Sequence, residues 1–100
     1  MADWKTYIVG FEIKKDSTYD DRYRSLMKAF NDIGGFRWTE PTSFLSVHKN
    51  MTLSEVYSKL TGSEIVSYKD LLVVVDTHTN KAKYFGPSDR KPDTYLFNIV

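Results

Sequence analysis

The segment "DLLVVVD", residues 70–76, restricts the fold of this chain more than any other stretch. Leu71 to Val75 is apolar without a break. Side chains of a strand alternate between its two faces, so a strand built from this run needs apolar cover on both. The segment "KTYIVGFEI" makes a milder form of the same demand. Tyr7, Val9, Phe11 and Ile13 share one face, while Thr6, Ile8, Gly10 and Glu12 share the other. Ile8 adds an apolar side chain to that second face. A chain of 100 residues supports one domain with one core, and one layer of helices covers one side of a sheet. The other side wants cover from outside the chain, and a second copy would supply it.

Two stretches carry the helical period. In "DSTYDDRYRSLMKAFNDIGG", Tyr19, Tyr23, Leu26, Met27, Phe30 and Ile33 fall on one stripe. Ser17 or Thr18 is placed to cap its start, Asp20 and Asp21 suit the positive end of its dipole, and Gly34 suits a left-handed end. In "MTLSEVYSKLTG", Thr52 and Glu55 form a Thr-x-x-Glu capping box, with Met51 and Val56 placed as a hydrophobic staple. Leu53, Val56, Tyr57 and Leu60 make the stripe, and Gly62 stops it.

Between the helices, "FRWTEPTSFLSVH" reads as a hairpin turning at Glu40, Pro41 and Thr42. After the apolar strand, "THTN" turns the chain, with Asn80 able to take a positive φ, and "KAKYFG" returns as its partner. The tail "TYLFNIV" follows a polar spacer and predicts a last strand that pairs with an edge strand of a partner copy. Strands are expected near 6–13, 35–40, 43–48, 70–76 and 81–86. The predicted class is α+β: a ferredoxin-like βαββαβ sandwich with an added C-terminal strand, both helices on one face of an antiparallel sheet. Residues 1–87 form the domain and 88–100 a C-terminal extension.

Several functions are excluded by what the chain lacks. Without cysteine there is no disulfide framework, thiolate zinc site or cysteine nucleophile. A formal net charge of +1 gives no bulk attraction to nucleic acid or membrane, so such affinity needs a local patch. No apolar run is long enough to span a bilayer and no signal-peptide core is present, so a soluble cytoplasmic protein is expected. There is no P-loop, dinucleotide fingerprint, zincin motif or nucleophile elbow, and no small-molecule cofactor is evident.

The pieces "YIVGFEI", "GGFRWTEPTSFLSV", "LSEVYSKL" and "DLLVVVDTHTNKAKYFGP" together resemble the small CRISPR-associated Cas-two proteins, and more closely the SinR-family proteins that share their fold, with VapD toxins as relatives. The resemblance implies a homodimer packed sheet on sheet that binds RNA or DNA. Some members of the family are assigned metal-dependent nuclease activity, others are non-catalytic scaffolds, and the VapD toxins are ribonucleases. An acidic residue at the end of the first strand binds magnesium with its symmetry mate near the dimer axis. The matching residue here is Glu12, where the family usually has Asp, one methylene shorter.

Glu12 is therefore the candidate catalytic and Mg2+-binding residue, set against a strand end that simply meets water. Lys14, Lys15, Arg22 and Arg24 are candidates for a phosphate-binding rim, with Arg22, Arg24 and Lys28 assigned to the polar part of the first helix. His48 and His78 read as surface histidines. Phe36, Trp38 and Phe44 read as core and interface packing ahead of base stacking. Two functions remain open: a Cas-two-like nucleic-acid protein, with or without weak nuclease activity, and a non-catalytic dimeric adaptor or scaffold.

Overall fold

In the computed structural model, which describes residues 3–39, 44–92 and 98–100, the alternation along the first strand sorts the whole protein into a covered and an open side. The elements run β1 (Lys5–Glu12), α1 (Tyr19–Ile33), β2 (Phe36–Trp38), β3 (Phe44–Lys49), α2 (Leu53–Thr61), β4 (Leu71–Asp76), β5 (Lys81–Phe85), a short 3-10 helix (Ser88–Arg90) and β6 (Asn98–Ile99). The architecture is α+β, with a single open sheet ordered β2-β3-β1-β4-β5-β6.

β1 is antiparallel to both β3 and β4, so Val9 lies between Leu45 and Val74, and Tyr7 between Val47 and Asp76. Those residues point to the helices. Tyr7, Val9, Phe11, Leu45, Val47, Leu72 and Val74 join Leu26, Phe30 and Ile33 of α1 and Leu53, Val56 and Leu60 of α2 in one buried cluster. Both helices therefore cover the same face, and they lie side by side on it.

The local signals account for the ends of these elements. Thr52 accepts from the Glu55 amide at 3.2 Å while Glu55 Oε1 accepts from the Thr52 amide at 3.0 Å, so both halves of the capping box form. Gly34 ends α1 at φ 75°, and Asn80 holds φ 58° in the β4–β5 turn. Thr18 precedes α1 without donating or accepting a side-chain cap bond.

Two expectations about the sheet are corrected. It is mixed rather than antiparallel, because β6 runs parallel to β5, with Lys81 beside Asn98 and Ala82 beside Ile99. The tail also adds to β5 of its own chain, where the Asn98 amide donates to the Asn80 carbonyl at 3.1 Å and the Val100 amide to the Ala82 carbonyl at 2.9 Å. The long spacer after β5 lets the chain return to the edge it left in the same direction, which a tight turn could not do. The expected turn at Glu40, Pro41 and Thr42 lies outside the described residues, as does most of "TYLFNIV".

Candidate functional site

The side of the sheet away from the helices is uncovered among the described residues. Register places Thr6, Ile8, Gly10 and Glu12 of β1 beside Phe44, Ser46 and His48 of β3 and Leu71, Val73 and Val75 of β4. Phe36 and Trp38 extend this face on β2, and Ala82 and Tyr84 on β5. Ile8, Phe44, Leu71, Val73, Val75 and Tyr84 stay only half-buried within one chain. A β-branched and aromatic surface of this kind is made for packing and is here without a layer over it.

One end of the face is aromatic. The Trp4 ring stacks on His48 with centroids 5.5 Å apart, Phe36 sits 6.2 Å from Trp4 and 6.3 Å from His48, and Trp38 meets Phe44 edge-on at 5.6 Å. Of the core and interface packing expected for Phe36 and Trp38, the core part is corrected: both are exposed in the single chain, Phe36 by 73%. β2 is the edge strand and its side chains on this face have no helix above them. His48 is half-buried in this group, with Nδ1 3.0 Å from the Thr6 hydroxyl, whereas His78 lies exposed in the β4–β5 turn.

Glu12 ends β1 on the same face, opposite Leu71. Its Oε2 lies 2.6 Å from Nη2 of Arg90, which comes from the 3-10 helix after β5. The pair is half-exposed. Among the described residues no group of three or more His, Cys, Asp or Glu stands together to hold a metal ion. One carboxylate already engaged by a guanidinium does not make a magnesium site within a single chain, because a hard dication takes several oxygen ligands.

The four basic candidates do not form one rim. Lys14 and Lys15 are exposed just beyond β1, and Lys15 lies over the Tyr19 ring at 6.0 Å. Arg24 is exposed on the outer side of the helical layer, beside Asp21, Ser25, Lys28 and Glu64. Arg22 is the correction. It is only 3% exposed and turns inward, not onto the polar part of α1.

The Arg22 guanidinium has every nitrogen engaged. Nη1 donates to Asp70 Oδ1, Nη2 to the Lys14 carbonyl at 2.9 Å and to Asp16 at 2.6 Å, and Nε to the Thr18 hydroxyl at 3.1 Å. Asp70, fully buried, also accepts from the Lys14 amide at 3.0 Å and the Val66 amide at 2.8 Å. Burial pulls the guanidinium down, but Asp70 and Asp16 outweigh it and hold it above its ordinary value. Lys69, at 2.7 Å, is the main cause that keeps Asp16 well below the usual carboxylate range, with Arg22 and Thr18 adding to it against burial. This cluster joins the end of β1, the start of α1 and the approach to β4. A signal for it existed: Arg22 stands four residues before Leu26, on the stripe itself, and Asp70 directly abuts an apolar strand.

Among the described residues no helix is long and apolar enough to cross a membrane. Comparison of the chain with protein-family models, with curated proteins and with solved structures returned no match.

Proposed function

We propose that this chain is the protomer of a Cas-two-like, ferredoxin-like homodimer that pairs through the open face of its sheet and serves as a non-catalytic nucleic-acid-binding scaffold. The observation that carries this reading is that face. Within the sheet, the order β2-β3-β1-β4 with both helices on one side agrees with the ferredoxin-like arrangement. Strands of 8, 3, 6, 6, 5 and 2 residues, at about 3.3 Å per residue and about 4.8 Å apart, give a flat footprint of roughly 500 Å2. Side-chain relief enlarges that area toward the roughly 800 Å2 per partner of a standard interface. A two-fold pairing would set the same apolar patch against itself.

The nucleic-acid part of the reading is supported by the sequence resemblance and by the exposed pair Lys14 and Lys15, each able to take a phosphate contact. Glu12, engaged by Arg90, favours a scaffold over a hydrolase. Titrating labelled single- and double-stranded RNA and DNA oligonucleotides at low salt tests both parts. Binding is expected to weaken as salt rises and to fall about tenfold in the Lys14→Glu/Lys15→Glu variant, with the oligonucleotides intact in magnesium. No binding to any of them would remove nucleic acid from the account. Magnesium-dependent cleavage that Glu12→Gln abolishes would replace the scaffold with a nuclease.

A further inference from the structure

Among the described residues of β1 to β5, the open face carries one carboxylate, that of Glu12. A layer laid over this face takes water from Glu12. An unpaired buried carboxylate opposes such packing strongly, whereas one that carries its own hydrogen-bonded counter-charge does not.

The segment after β5 is built to deliver that charge. Gly86 takes φ 152°, and the Tyr84 hydroxyl donates to the Pro87 carbonyl at 2.6 Å, which turns the chain back over the end of the sheet. The 3-10 helix closes with the Arg90 amide donating to the Pro87 carbonyl at 3.1 Å. Arg90 then meets Glu12 at 2.6 Å, although Lys14 and Lys15, two and three residues after Glu12, are far nearer in sequence. In the free chain the side chains of Glu12 and Arg90 are 58% and 49% exposed, and an exposed pair of this kind contributes little to folding. Its value lies in the covered state.

We infer that residues 86–92 are a counter-ion arm, whose Arg90 neutralises Glu12 so that a second copy of this chain can close over the open face. The inference rests on the homodimer reading and assigns the C-terminal extension a role in it. Arg90 is a specificity-determining residue: it keeps the face electrically neutral without a bound cation. A copy lacking the arm would have to bury the carboxylate bare or leave the face uncovered.

The test is the dimer dissociation constant of the full chain, measured by sedimentation velocity over a dilution series, for the wild type, Arg90→Ala, Glu12→Gln and the double variant. Arg90→Ala is expected to raise the constant at least 100-fold, the loss typical when one partner of a buried pair is removed. The double variant, with neither charge, is expected within about threefold of the wild type. Thermal melts of all four should coincide below the dimer dissociation constant, where only single chains are present and the pair is exposed. A wild-type dimer that Arg90→Ala leaves unchanged overturns the counter-ion arm alone. Equal weakening in Arg90→Ala and the double variant also overturns it, since Arg90 would then act through contacts other than Glu12. A wild type that stays monomeric at every concentration overturns the homodimer reading itself.

Discussion

Arg22 shows how much one side chain in this protein depends on its partners. Its guanidinium and the Asp70 carboxylate are both out of water and hold each other, so removing one leaves the other buried without compensation. Arg22→Met is expected to lower the unfolding free energy by roughly 3–5 kcal/mol in urea denaturation, and a loss under about 1 kcal/mol would show that the cluster is dispensable. Arg22→Lys should recover little, because an ammonium cannot reach Asp70, Asp16, Thr18 and the Lys14 carbonyl together. Asp76 carries a second dependence, on pH. Burial pushes its carboxyl up, but the His78 amide, the Lys5 ammonium and the Thr79 hydroxyl outweigh burial and leave it below its ordinary value of 3.8. A carboxyl depressed by folding contributes stability that is present above that ordinary value and lost as pH falls below it. Asp16 is shifted the same way. Tyr7 acts at the other end: burial, then Asp76 and Glu55, push it up from 10.0 to about 12, so its contribution is lost as pH rises through that window. The melting temperature is expected to fall between pH 4 and pH 2 and again above pH 10; a flat profile across both windows would contradict these assignments.

At the scale of elements, the strands, helices and turns that rest on local chemistry were legible in the sequence. The capping box of α2 is written within four residues, and Thr52→Ala is expected to cost about 1 kcal/mol of stability in the same denaturation experiment. A variant as stable as the wild type would mean that packing alone holds α2. The two parities of β1, the stripe of α1 and the positive φ of Asn80 were legible for the same reason, since period and turn type are properties of adjacent residues. What escaped depends on distant partners. The inward turn of Arg22 answers to Asp70, 48 positions away, so although its position on the stripe of α1 hinted at it, its charge set it among the surface residues. The parallel pairing of β6 follows from where the spacer returns the chain. Phe36 and Trp38 are exposed because β2 lies at the sheet edge, a place that their apolar character does not encode. At the candidate site, the face and residue position of Glu12 were legible, but its pairing with Arg90 was not, because nothing near Arg90 announces a carboxylate.

For the whole molecule, the two-sided demand of Leu71 to Val75 remains the central constraint. The helices answer it on one side through Leu72 and Val74, and Leu71, Val73 and Val75 are left half-buried on the other. Gly10 lies under this open surface, where an added Cβ would come within 3.2 Å of Val73 Cγ1, so β1 and β4 present a close-set floor to whatever packs on it. Val73→Asp would put a charge in the middle of that floor while leaving the helix-facing core intact. The most direct measurement is the molar mass of the wild type at micromolar concentration by light scattering, with Val73→Asp beside it. The account requires twice the 11.6 kDa of one chain for the wild type and a folded single chain for the variant. A wild type with the mass of one chain would contradict it.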